Sequence, residues 1–253
     1  IETRKGTVPR QAHFTCASCG RECNTLESVK SSSHTAPVAV YALHCYCPQC
    51  AEDGYASGGR YFKAPNEYDI KRLSESEKEW AYRADKDLAA YWPSQKMIYA
   101  HMTHERNPLP DHGYTHWWKM FNSRQLLVHA ALLKAILGSS EMWPLDVREQ
   151  VLGAFQHYLR YQTMMAFYHV RKNHIAPHFS SANYNPKNLC VENSVFLHTG
   201  MGNWYALSDK VIDALEWSSN PWEVYINHGE KNIHVNTEDP ILNGGDCYCS
   251  TST

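Results

Sequence analysis

No apolar run in the 253 residues approaches the ~20 needed to cross a bilayer, so no membrane partner is expected. Neither sign of charge dominates. With 24 Lys and Arg against 26 Asp and Glu, the net charge is −2. A chain-wide basic field is therefore absent, and any nucleic-acid contact must come from local patches. Nothing reads as a targeting segment, and the expected compartment is a reducing cytoplasm. What the chain does have is a hydrophobic share of 43%, enough for a core, together with 16 Tyr and 8 Trp. The length admits one large or two small domains. The ends, Ile1 and Ser250-Thr-Ser-Thr253, lack the character of finished termini. The sequence reads as part of something longer, with a catalytic site lying partly or wholly outside it.

The strongest local signal is a pair of Cys-x-x-Cys motifs, Cys16-Ala-Ser-Cys19 and Cys47-Pro-Gln-Cys50, separated by 27 residues. Each motif can turn two thiolates toward one ion, and four thiolates in a tetrahedron suit structural Zn²⁺. Gly20 follows the first motif and Pro48 stiffens the second. The competing reading is disulfides or buried thiols. Nine cysteines are an odd number, and a chain of this size does not need staples. Cys23 and Cys45 lie close enough that either is an alternative ligand.

Around these motifs the order strand, knuckle, strand, knuckle, strand is expected. The strands are His13-Phe-Thr-Cys16, Pro37-Val-Ala-Val-Tyr-Ala-Leu43 and Arg60-Tyr-Phe-Lys63, the last after a turn at Gly54, Gly58 and Gly59. A helix is then expected from a capping box at Ser74 and Glu77, with Trp80, Ala84 and Leu88 on one face and Pro93 at its end. Its charged residues read as a solvated face. Residues 93–118 are irregular and carry His101, His104, His112 and His116 without helical ligand spacing, so a second metal site is not favoured. Asn122 and Gln125 form a second capping box, opening a core helix with Leu126, Leu127, Ala130, Leu133, Ile136 and Leu137 and ending at Gly138. A third helix is expected from near Asp146 to about Val170, and a fourth from Ala206 to about Trp217. A short strand, Trp222-Glu-Val-Tyr-Ile226, follows. Residues 171–200 mix bases and aromatics, a composition that either grips nucleic acid or simply crosses a helical layer. Arg171, Lys172 and Lys187 there, with Arg124, are the candidate nucleic-acid contacts.

Several stretches together resemble the adenine-specific DNA methylases that carry a zinc-ribbon insertion, a group that includes phage-defence members. Gly6-Thr-Val-Pro-Arg10 with Cys16-x-x-Cys19-Gly20 is similar to the family's ribbon entry, and Gly59-Arg-Tyr-Phe-Lys-Ala-Pro65 to its exit. Phe121-Asn-Ser-Arg-Gln-Leu-Leu127 resembles the family's Leu-Phe-Thr-Pro-Arg-Gln-Leu-Leu, with Asn-Ser in place of Thr-Pro. Gly202-Asn-Trp204 and Ala214-Leu-Glu-Trp217 resemble the helix before its Gly-Asp strand, where Gly245-Asp246 falls. The glycine-rich cofactor motif and the catalytic Asp-Pro-Pro-Tyr are absent; Asp239-Pro240 is followed by Ile241-Leu242 and does not replace the latter.

The resemblance implies an α+β chain in three parts. Residues 1–72 would be the zinc ribbon and residues 73–182 a helical region. Residues 183–253 would lead into the first strand of a Rossmann-like methyltransferase core. It implies methyl transfer from S-adenosylmethionine to the exocyclic amine of a base, adenine through the family, by a site to which this chain lends only Asp246. DNA and the remainder of the methyltransferase are the implied partners. Two other readings compete. One is a non-catalytic zinc-ribbon module that binds nucleic acid or protein. The other is a zinc hydrolase built on the histidine-rich middle, which four cysteine ligands in a closed site disfavour.

Overall fold

The structure, a computed structural model, describes residues 13–16, 18–32, 35, 38–55, 57–169, 171, 174–178, 190–197 and 200–220 in full, and the backbone of 222–227 and 230–235. It is a mixed α+β chain in which helices dominate and every described sheet is a two-stranded antiparallel hairpin.

The N-terminal part is two hairpins. Strands β1 (His13–Thr15) and β2 (Glu22–Asn24) pair with Phe14 opposite Cys23. Helix α1 (Thr25–Ser32) follows directly; the Asn24 side chain caps it by accepting from the Leu26 and Glu27 N–H groups. Sequence periodicity did not indicate this helix. Lys30 near its end pairs with Asp111 at 2.8 Å and ties it to the helical body. Strand β3 is Leu43–Tyr46, so the expected strand over residues 37–43 is displaced toward the second cysteine motif. A short helix α2 (Pro48–Glu52) and the Gly54–Gly59 turn return the chain into β4 (Arg60–Lys63), as anticipated. Gly59 is required there. Its φ is +77°, and a Cβ would stand 2.3 Å from the Cys47 carbonyl oxygen.

Helix α3 runs Glu67–Arg83, eight residues upstream of the expected start. Asn66 caps it, and Asp69 completes a capping box that meets the same pattern as Ser74 and Glu77. The upstream box prevails because each helical residue added beyond an existing nucleus gains a hydrogen bond at small entropic cost. The helix also crosses the expected ribbon boundary at residue 72. Lys63 of β4 bonds Asp69 at 2.8 Å, joining hairpin to helix. The chain leaves the helix at Arg83, well before Pro93. Leu88 is nevertheless fully buried, and the Trp92 indole donates to the Ala84 carbonyl.

Helix α4 (Ser123–Gly138) starts as expected: Asn122 accepts from the Gln125 N–H while the Gln125 side chain accepts from the Asn122 N–H. Leu126, Ala130 and Ile136 are core, whereas Leu137 is exposed. Helix α5 (Leu145–Leu159) is shorter than anticipated. Gln162, Met165 and Ala166 are buried as a helical period requires, yet they lie in an irregular turn in which the Met164 N–H bonds the Met120 carbonyl. Strands β5 (Phe167–His169) and β6 (His174–Ala176) pair beyond it. Helix α6 (Trp204–Ser219) is capped by Asn203, and the hairpin of β7 (Trp222–Asn227) with β8 (Glu230–Val235) ends the described chain.

Two clusters hold the body together. Ile136, Phe155, Tyr158, Tyr161 and Leu207 join α4, α5 and α6. Met97, Leu109, Tyr114, Met120 and Met165 fill the space under the irregular segment 93–121.

Candidate functional site

Each cysteine motif is built at the end of a hairpin. Backbone N–H groups of Cys19 and then Ser18 hold the Cys16 thiol below its ordinary pKa. The N–H of Cys50 does the same for Cys47, and the Cys50 thiol, hydrogen-bonded to Cys47, is raised in consequence. A sulfur that accepts N–H bonds is readied as a thiolate, the form a metal takes. Cys16 also closes its turn through backbone bonds, Gly20 N–H to Cys16 O at 2.8 Å and Cys16 N–H to Arg21 O at 2.9 Å. None of the seven described cysteines is in a disulfide. Each pair therefore offers two thiols, fewer than the four a structural Zn²⁺ takes. The two pairs are not gathered at one point: among the described residues no group of three or more His, Cys, Asp or Glu is placed to hold a metal. Cys23 and Cys45 sit on β2 and β4's partner strand β3, with their sulfurs near the carbonyls of Arg21 and Leu43, and complete no such group.

Of the candidate nucleic-acid residues, Arg124 is engaged. Its guanidinium grips Glu192 through both Nε, at 3.1 Å, and Nη2, and Glu77 is 4.0 Å away. The Asn122 amide donates to the same Glu192 carboxylate at 2.6 Å. This cluster ties the start of α4 to residues 190–197 and leaves Arg124 little charge to offer a phosphate. Arg171 is exposed in the β5–β6 connection. Lys172, Lys187 and Asp246 lie outside the described residues.

The histidines of the irregular segment find local partners. His101 meets Glu105 at 2.8 Å, His104 meets Thr103 at 2.8 Å, and His116 meets Thr115 at 3.0 Å. Burial, with a smaller contribution from Lys30, holds His112 below its ordinary pKa against the opposing pull of Asp111.

Sequence reasoning missed a half-open cavity of about 300 Å³ lined by the α3–α4 connection, α4 and α5. Tyr91, Trp92, Phe121, Leu133 and Phe155 give it an apolar wall, and His129 is its polar member. Tyr158 Oη lies 3.0 Å from His129 Nδ1, and the Gln162 carbonyl lies 3.4 Å from Nε2. Burial lowers the His129 pKa to about 4 and pushes the Tyr158 hydroxyl far up, so the ring is neutral and the phenol protonated at pH 7. Tyr158 then donates to Nδ1 and Nε2–H donates to Gln162. Both nitrogens are committed, so the cavity presents neither acid nor base to a ligand. A lone histidine on an apolar helical face gave no sequence signal of this arrangement.

No family model, curated protein or solved structure matches the chain.

Proposed function

We propose that the chain is the central, DNA-positioning portion of an S-adenosylmethionine-dependent DNA methyltransferase that acts on an exocyclic base amine, adenine by preference. The observation that carries this reading is the pair of knuckles. Two Cys-x-x-Cys turns, each at the end of an antiparallel hairpin, each have their leading thiol held low by backbone N–H groups. One Zn²⁺ shared by Cys16, Cys19, Cys47 and Cys50 would have to draw together two cysteine pairs that stand apart in the structure, and would then join the hairpins and fix their outer surface. The metal is structural in this account. It takes no part in chemistry, because four thiolates leave no open position.

Helix α4 adds support. The family's Thr-Pro-Arg-Gln is a sequence for starting a helix, with Thr as cap, Pro at the first position and Gln as the reciprocal capping side chain. Asn122-Ser-Arg-Gln125 keeps that architecture with a different cap. The departure in sequence therefore preserves the physical role. The entry to a Rossmann-like core belongs after β8, around Asp246, and the catalytic loop belongs to the remainder of the methyltransferase. No helix among the described residues is long and apolar enough to cross a membrane. The disulfide-free described cysteines suit a reducing cytoplasm.

The test is methyl transfer by the complete protein. Labelled S-adenosylmethionine and duplex DNA should yield labelled N6-methyladenine after digestion. A complete protein that binds DNA and zinc but transfers no methyl group is instead a non-catalytic binding module.

A further inference from the structure

The β3–β4 hairpin carries its side chains in a pattern that zinc binding does not require. In an antiparallel pair, alternate residues share a face and opposed residues touch. Here His44 opposes Phe62, and Tyr46 opposes Arg60. One face therefore presents His44, Tyr46, Phe62 and Arg60, while the other carries Leu43, Cys45, Tyr61 and Lys63. The rings of His44 and Phe62 are stacked, 4.4 Å apart and 13° from parallel. Tyr168 of β5 stands edge-on to both, at 6.0 and 6.3 Å and close to perpendicular.

This cluster is on the surface. Phe62 is 62% exposed, an unfavourable place for a phenylalanine that contributes nothing else. His44 and Arg60 are exposed as well. Among the described residues no carboxylate pairs with the Arg60 guanidinium. A second exposed cation, Arg171, lies three residues beyond Tyr168. Exposed stacked rings beside the Arg60 guanidinium form the combination that binds an unstacked base and its phosphate together. On a chain without an overall basic field, such a patch is the kind of local site that nucleic-acid binding demands.

We propose that the face formed by His44, Phe62 and Arg60, with Tyr168 at its edge, is a stacking platform for single-stranded or locally unpaired nucleic acid. The Phe62 ring takes the base and Arg60 takes the adjacent phosphate. This deepens the DNA-positioning reading and rests on it for the kind of partner. An enzyme that works on a base amine must take the base out of its stack. A platform that holds neighbouring unpaired bases lowers the cost of doing so.

The test uses the 253-residue chain and a fluorescein-labelled oligodeoxythymidylate of about 12 nucleotides, within the usual site sizes. Anisotropy titrations should show Phe62→Ala weakening binding by roughly 5- to 150-fold, the range base–aromatic stacking gives. Phe62→Tyr should restore it to within about twofold, because the ring is kept. Arg60→Ala should reduce the salt slope by about one. Tyr68→Ala, at an equally exposed aromatic on α3, should bind like wild type. Equal affinity of Phe62→Ala and wild type overturns the platform, as does an equal loss in Tyr68→Ala or a wild-type chain that ignores the oligonucleotide. Methyl transfer by the complete protein is scored separately, so the platform can fail while the methyltransferase reading stands.

Discussion

The Tyr158 hydroxyl donates to His129 Nδ1 across 3.0 Å, inside a body where Tyr158 is wholly buried and His129 is 6% exposed. The bond satisfies two polar groups that the apolar packing of α4 against α5 would otherwise strand. Tyr158→Phe removes the donor and leaves Nδ1 buried without a partner. The expected cost is about 1–3 kcal/mol in urea unfolding, with the fold retained.

The same histidine makes stability depend on pH. Its pKa falls from 6.5 in the unfolded chain to about 4 in the folded one. A lowered histidine pKa means that the unfolded state binds the extra proton first. Stability is therefore full above pH 6.5 and is lost as pH falls toward 4, by up to roughly 3 kcal/mol. Urea midpoints at pH 7.5 and 4.5 measure this. In His129→Gln the slope over that window should flatten, whatever the variant's absolute stability.

The start of α4 predicts a cap effect. Asn122→Ala should destabilise by about 1 kcal/mol through loss of the cap, and somewhat more through loss of the amide bond to Glu192. Asn122→Thr with Ser123→Pro introduces a Thr-Pro helix start, with proline at a position whose N–H lies outside the helical ladder. It should be no less stable than Asn122→Ala in thermal melts.

This helix and α3 show where sequence was and was not sufficient. The Asn122–Gln125 box stood alone before an apolar stripe, so cap, period and end agreed. For α3 two boxes compete within eight residues, and the upstream one is reinforced by the ion pair from Lys63 of β4 to Asp69, which the local sequence pattern does not show. The end of α5 was hidden for a different reason. Gln162 is buried by its bond to the Gly202 carbonyl, and Met165 by packing with Met120, so burial continued in helical rhythm after the helix had stopped. The knuckle motifs were legible because spacing alone dictates them. The His44–Phe62 stack and the His129 cavity were not, since each depends on which strand or helix lies opposite.

Glycine substitutions separate close approach from open space. Gly202 has φ +74°, and a Cβ there would lie 2.2 Å from the Tyr161 ring. Gly202→Ala should cost at least about 2 kcal/mol, from backbone strain and displacement of a core tyrosine. Gly153 lies within α5 with nothing within 4 Å of a would-be Cβ. Gly153→Ala should stabilise by about 0.5–1 kcal/mol. Paired thermal melts decide both.

The most direct test of the account is the metal content of the purified chain and of its two paired-cysteine variants. About one Zn²⁺ per chain is expected, lost both in Cys16→Ser with Cys19→Ser and in Cys47→Ser with Cys50→Ser, because a shared tetrahedron needs all four sulfurs. Each loss should loosen the hairpins of residues 13–63 while the α4–α5–α6 body keeps its unfolding transition. Full zinc retention in either double variant would contradict the shared site, and with it the ribbon on which the DNA-positioning role depends.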